Sequence, residues 1–337
     1  MLGWKYGRAF ASLSLSLSLA FFSATANAAE VELRLAAGFA QNEILARPIG
    51  RLADLIKEKS KGEIEAKVFY QSLGTEQQLA QSVMSGTVDI GELANGNSSR
   101  FTNAFLIYDL PFLFKKYDNL LKSLDTASGK KVVSQFEKDL GVKYLFAISN
   151  AVGRDVQTRS KPLKSPDDIK GLKIRTVSSP IDLATFKAWG ATPTPVDFSQ
   201  IYSATQQGVV DGFQFPNTVL LTSKLYEVVK YSVRVEYQSA TELVFMNAKK
   251  FESLSPKHQA IVLEAAREVQ DWATVEAAKL AKTAEEEMTK AGLVIYTPSP
   301  AEYEKWSSIR LKVWEDVAAQ MKGKLDLDLA KAIYAEQ

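Results

Sequence analysis

The first hundred residues switch between a two-residue and a 3.6-residue apolar period. That switching restricts the fold more than any other feature. Residues 31–36 alternate as a strand, and 38–42 form the turn after it. Ile49, Leu52, Leu55 and Ile56 then make one apolar stripe of a helix. Lys61-Gly62 ends it, with the lysines of its last turn opposing the helix dipole. Residues 64–69 read as a second strand, a helix starts near Glu76 and stops at Gly86, and 88–93 read as a third strand. A β-α-β-α-β opening predicts parallel strands with helical crossovers. Ligands of such sheets bind outside the carboxyl ends of the strands. This singles out the turns at 39–42, 75–76 and 94–97, with Phe39, Asn42, Glu76 and Asn95 as pocket candidates.

A polar, turn-rich stretch at 150–180 follows a strand at 144–148. Lys161-Pro162 and Ser165-Pro166-Asp167-Asp168 break the chain, Gly171 closes the turn, and 172–176 read as a short strand. Arg175 stands near the end of that strand, just before Ser178-Ser179-Pro180 opens a helix over 181–189. A guanidinium there offers an anion a planar fork of donors. The alternative is that Arg154 and Arg175 are ordinary solvated charges.

Further on, Thr192-Pro193-Thr194-Pro195 requires extended backbone, since a residue before proline avoids the α region. Residues 199–207 read as a helix, and 210–217 as a strand delivering aromatic side chains to a turn. Crossings between two lobes are expected near 149–152 and 235–240, and 243–247 as a strand. Residues 256–290 form a long helical pattern with Pro256 at its start and Gly292 at its end.

At the N-terminus, Lys5 and Arg8 precede an uncharged, mostly apolar run, and Ala26-Asn27-Ala28 is an A-x-A cleavage site. Residues 1–28 therefore read as a signal peptide, with the mature chain starting at Ala29. A membrane anchor is the alternative, but the run is short for a span of ~20 apolar residues. No later stretch could cross a membrane. Of 337 residues, 28 removed leave 309, which suits two domains. Without Lys5 and Arg8 the 41 basic residues become 39, equal to the 39 acids, so the chain carries no electrostatic footprint for nucleic acid. Cysteine is absent, so export brings no disulfides and the lipid attachment that needs a cysteine is excluded. A free protein of a Gram-negative periplasm is the simplest reading.

Catalysis finds little material. His258 is the single histidine and reads as a solvated helix residue. There is no nucleophile elbow, no His/Cys zinc set, no P-loop and no dinucleotide fingerprint, and Asp167-Asp168 reads as capping. No cofactor, metal site or catalytic residue is expected.

The arginine stretch resembles the solute receptors of TRAP (tripartite ATP-independent periplasmic) transporters, the DctP type. Val152-Gly153-Arg154 stands for the family's G-x-R, with the glycine one place late. Pro162, Pro166, Asp168, Lys170-Gly171, Lys173 and Arg175 follow at the family spacing. The likeness continues through Asp109–Phe114, Gly190–Pro195, Phe198–Tyr202 and Gln207–Gly212, over nearly the whole mature chain. It implies a two-lobed α/β periplasmic-binding-protein fold with mixed sheets and a long helix bridging the lobes. Lobe I would be 29–150 with 241–285, and lobe II 151–240 with 286–337.

It also implies that Arg175 is the main partner of a ligand carboxylate, with Arg154 beside it and Phe198 as the pocket aromatic. Gln200 replaces the usual glutamate after Phe198. Where many relatives read D-G-x-E-N-P, this chain has Gln214 and Phe215 for the acid and the amide. That departure argues against sugar acids and simple C4-dicarboxylates. Phe39, Phe198 and Phe215 would instead flank an apolar or aromatic tail, whereas Phe213 reads as core.

The expected function is a receptor that closes on an organic acid and delivers it to a TRAP permease. A receptor serving a membrane sensor is the alternative, and an enzyme on a related fold a weaker one. Ligand titration with and without a permease separates the first two, and turnover of ligand would indicate the third.

Overall fold

The computed structural model describes residues 29–114 and 118–337; the expected signal segment lies outside them. Strand β1 (Val31–Ala37), helix α1 (Arg47–Lys59), β2 (Ile64–Tyr70), α2 (Glu76–Ser85) and β3 (Ile90–Ala94) form the opening alternation. Two helices, α3 (Asp118–Leu124) and α4 (Ala127–Leu140), lead to β4 (Val142–Gly153), longer than expected. Then come β5 (Asp155–Thr158), β6 (Lys173–Thr176), α5 (Pro180–Ala188), β7 (Thr192–Pro195), α6 (Ile201–Gln206) and β8 (Gly212–Phe215). The strand expected over 210–217 is thus only four residues, and the turn expected after it is helix α7 (Asn217–Thr222). Next are β9 (Tyr231–Val233), β10 (Ser239–Asn247), α8 (Ala248–Ser253), α9 (Pro256–Lys290) and β11 (Val294–Tyr296). Three helices close the chain: α10 (Pro300–Ser307), α11 (Arg310–Gln320) and α12 (Leu327–Ala335).

Two mixed sheets result. The first runs β2-β1-β3-β10-β4, and the second β11-β9-β5-β8-β6-β7. The β1–β2 and β1–β3 pairs are parallel, as the alternation requires, whereas β10 enters antiparallel between β3 and β4. The prolines of β7 sit on a sheet edge, where a missing N–H costs no ladder bond. The chain passes between sheets at Arg154, where β4 gives way to β5, and returns between β9 and β10. The two crossings pair through Arg154 N–H donating to the Gln238 carbonyl (2.8 Å) and Tyr237 N–H to the Arg154 carbonyl (3.1 Å). Each holds a non-glycine residue in the left-handed region, Ala151 (φ 60°) and Glu236 (φ 47°).

Helix α9 spans 35 residues, about 52 Å at 1.5 Å per residue. Ser255 caps it by accepting from His258 N–H at 3.2 Å, and Pro256 fills the first turn where no N–H is needed. Ile261, Val262, Ala265, Ala266, Val269 and Ala273 bury one stripe. The helix packs on α1 and β4 of the first sheet and reaches α7 and β11 beside the second. No helix among the described residues is long and apolar enough to cross a membrane.

Two features differ from expectation. His258 is buried rather than solvated, because its Nε2 lies 3.0 Å from Glu63 Oε2. The tail assigned to the second lobe packs on both cores. Trp306 of α10 joins Trp189 and Phe186, with Trp189 Nε1–H donating to the Trp306 carbonyl at 3.0 Å. Helices α11 and α12 instead bury Trp314, Val317 and Ile333 against Phe105, Leu106 and Phe245. The apolar segment at 109–114 is core and links the two: Phe112 enters the Trp189 cluster while Leu110 and Leu113 enter the other.

Gly212 tests the β5–β8 contact. A Cβ there would stand 2.1 Å from the Gln157 carbonyl oxygen, so the strands must part to admit it. Gly212→Ala should cost about 1–3 kcal/mol of stability in urea unfolding. An unchanged midpoint would show that the strand pair yields freely.

Candidate ligand-binding site

Strand β6 projects Arg175 from a backbone paired with β7 and β8 on its two sides. Arg175 is 2% exposed. Its Nε–H donates to the Val196 carbonyl at 2.8 Å, its guanidinium lies 5.2 Å from the ring centre of Phe215, and Nη1 has no partner. Burial, and then the neighbouring Arg154, bring its pKa down to about 10, so it remains a cation at neutral pH.

Arg154 occupies the crossing between the sheets and is also buried. Its Nη1 donates to Gln214 Oε1 at 2.8 Å, and Gln214 Nε2 donates to Asp182 Oδ2 at 3.1 Å. Tyr237 hydroxyl donates to Asp182 Oδ1 at 2.8 Å. Burial works against the charge of Arg154, but Tyr237, Asp182, Asp109 and Glu242 around it raise its pKa overall. The Nε of Arg154 is unpaired.

Acids face these cations from the first sheet. Glu76 opens α2 behind the capping residue Thr75 and accepts a hydrogen bond from Asn97. Glu242, on β10 opposite Ala94, is 5% exposed, and its Oε2 has no partner. Behind them Glu92 accepts from Gly38 N–H at 3.0 Å. Burial pushes the pKa of all three upward, most strongly for Glu92 and Glu242.

Aromatic rings complete the wall. Phe198 meets Phe39 edge to face at 4.7 Å and Phe215 at 5.7 Å. The rings, arginines and Glu76 and Glu242 surround a cavity of about 20 Å³, room for one or two water molecules. Larger clefts exist on the surface. One of about 410 Å³ is lined by Lys130, Tyr144 and Arg267, but its Lys143 is already paired with Glu137 at 2.7 Å.

Six of the nine expected site residues line the small cavity: Phe39, Glu76, Arg154, Arg175, Phe198 and Phe215. Gln214 stands behind it as the link from Arg154 to Asp182. Asn42 is exposed and away from it, its carbonyl accepting from Arg47 Nε–H at 2.9 Å. Asn95 turns instead to Asp109, donating to Oδ1 at 2.6 Å, and Asn97 of the same turn lines the cavity. Ala94 belongs to the turn expected at 94–97, whereas Leu45, Val177 and Glu242 were not anticipated. Glu242 had a signal, a lone acid in a strand whose nine residues are all buried.

Glu30, Glu63 and His258 bring ligand-type atoms within 4.8 Å of one another. Lys257 Nζ sits 2.6 and 2.7 Å from the two Glu63 oxygens, so the group forms an ion-pair cluster that needs no metal.

A two-lobed α/β chain with buried cations and acids between its sheets has the form of a solute receptor. A family model described as bacterial extracellular solute-binding protein, family 7 (DctP), matches residues 37–321. A 2,3-diketo-L-gulonate-binding periplasmic protein of Escherichia coli K12 is 32% identical over 245 residues, covering 72% of this chain and 74% of that one. A TRAP periplasmic solute-binding protein from Ralstonia eutropha H16, solved with (S)-2-acetolactate, has a TM-score of 0.83 at 27% identity, covering 91% of this chain and 99% of that one. A third, from Sulfitobacter sp. NAS-14.1, solved with β-D-galacturonate, shares the fold at a TM-score of 0.84 and 21% identity, over 91% of this chain and 100% of that one. The chain belongs to the DctP family of TRAP periplasmic solute-binding proteins, which are binding proteins rather than enzymes.

Beside the cavity, Asp109 ties the two sides together. It accepts from Asn95 after β3 and, at 2.7 Å, from the Ser179 hydroxyl that caps α5. Burial raises its pKa to about 7 against the pull of Arg154. A folded pKa above the unfolded one means that the folded state keeps its proton longer. Stability is then lost as pH rises from about 4 to about 7. Asp109→Asn removes that titration, so wild-type stability minus variant stability should fall between pH 5 and pH 8, by at most about 3 kcal/mol. Denaturant unfolding at both pH values checks this, and a constant difference would show that Asp109 does not titrate there.

Proposed function

We propose that this receptor closes on a compact organic acid in the periplasm and hands it to a TRAP permease. The supporting observation is Arg175, a buried cation with a free Nη1 at the wall of a small cavity. Its guanidinium would take both oxygens of one carboxylate, and Arg154 would orient the ligand or Arg175. Phe39, Phe198 and Phe215 would flank the ligand's apolar part. Glu76 would close the cavity from the other side, while Gln214 would act through Arg154.

We place lobe I at 29–150 with about 241–285 and lobe II at 151–240, with β11 and α10 joining the second. A cavity of about 20 Å³ does not admit an organic acid as it stands. Entry would require the lobes to part at the paired crossings, and closure would follow from contacts that both lobes make to the ligand. A relative named for binding 2,3-diketo-L-gulonate and another solved with acetolactate support a carboxylate ligand.

Mass spectrometry of small molecules released by denaturing purified protein identifies the ligand. Titrated with that acid, Arg175→Ala should lose ~2–5 kcal/mol, as other desolvated charge pairs do. That is roughly 30-fold to several-thousand-fold in affinity. Arg175→Lys should also bind poorly, because a point charge lacks the fork. Arg154→Ala should lose less. Near-native affinity in an Arg175→Ala protein with a normal melt would end this reading. The mature protein should begin at Ala29 and fractionate with the periplasm without detergent; N-terminal sequencing that finds Met1 on a membrane-bound chain would count against export as a free protein.

A further inference from the structure

We infer that the ligand is a zwitterion, carrying beside its carboxylate an ammonium or related N–H cation that seats on Glu242. This rests on the carboxylate reading of Arg175. The cavity is polarised between the two sheets. Arg175 comes from β6 of the second, and Arg154 from the crossing beside it. Glu76 and Glu242 come from the first, with Glu92 behind them.

Glu242 carries the inference. It lies mid-strand between β3 and β4, is 5% exposed, and leaves Oε2 without a partner at the cavity wall. A buried carboxylate without a donor is unfavourable, and an ammonium placed against it supplies both donor and counter-charge.

Charge balance favours the same ligand class. Two guanidiniums and two acid side chains line the cavity; their formal charges balance when both acids are ionised, a state that burial opposes at Glu242 until a cation reaches it. A zwitterion preserves that balance. A dicarboxylate would add two negative charges beside Glu76 and Glu242, and a plain monocarboxylate would bring Glu242 no donor and no counter-charge. A hydroxyl could donate to Glu242 but would leave its charge uncompensated. The ring of Phe39, held edge to face by Phe198, offers a cation or an aliphatic group an apolar wall on the acid side. With opposite charges at its two ends, a zwitterion would draw both lobes together.

The test uses the mature protein, a panel of L- and D-amino acids, and their matched 2-hydroxy and desamino acids. Thermal shift selects binders, and isothermal titration measures them. At least one amino acid should bind about tenfold or more tightly than both of its matched acids. Glu242→Gln should weaken that amino acid about tenfold or more and leave the hydroxy acid within about threefold. A hydroxy or desamino acid that binds as tightly as its amino partner overturns the zwitterion. It leaves the carboxylate reading intact if Arg175→Ala abolishes its binding. Failure of every panel member to bind overturns the zwitterion and leaves the carboxylate reading to titration of Arg175→Ala with the acid that mass spectrometry identifies. The wild-type panel decides the matter even if Glu242→Gln does not fold.

Discussion

The structure depends on keeping two guanidinium groups away from water. Arg154 and Arg175 are nearly fully buried, and burial followed by the charge of Arg154 lowers the pKa of Arg175. Asp182 makes their burial possible. It takes donors from Gln214, Tyr237 and the Val177 N–H, and so ties β8, the returning crossing and the end of β6 to one carboxylate. Removing any member would strand a buried charge, which costs more than the lost bond itself. The arginines are therefore held before any ligand arrives, with their unpaired N–H groups already in place. Such preorganisation reduces the ordering cost of binding.

Local patterns in the sequence were enough to set most elements. The alternation through residue 94 marked three strands and two helices because each buries one face with the matching period. The long helix was bounded by residues that act locally, Pro256 at its first turn and Gly292 after its end. Local patterns could not place β10 antiparallel between β3 and β4, since sheet order is decided by contacts far apart in sequence. Nor could they divide the C-terminal helices. Trp306 and Trp314 lie eight residues apart, yet one packs in the Trp189 cluster and the other against the first-sheet core.

The site shows the same division. Strand ends located the turns correctly, but not the direction of each side chain within them. In the turn after β3, Asn95 points to Asp109 and Asn97 to Glu76. In the turn after β1, Phe39 faces inward while Asn42 is exposed. The arginines came through family resemblance, and both line the small cavity. Glu242 escaped notice because the strand was expected to begin at 243, which left the acid just outside the run that makes it unusual. His258 was misplaced because its partner Glu63 lies 195 positions away.

Closure has to be reversible for a receptor, and the crossings offer a physical reason that it could be. Ala151 and Glu236 hold left-handed backbone that L-residues adopt only at a cost. Neither is a glycine, so a conformation that releases the turn would regain some of that energy. Opposing release are the bond from the Ser179 hydroxyl to Asp109 and the edge-to-face contact of Phe198 with Phe39, which cross between the lobes. A ligand shifts such a balance only through contacts that differ between the open and closed forms. Groups fixed to one lobe cannot supply that difference alone, however tightly they hold the ligand. A side chain on β10 acting together with one on β6 can, because the distance between them is what closure changes.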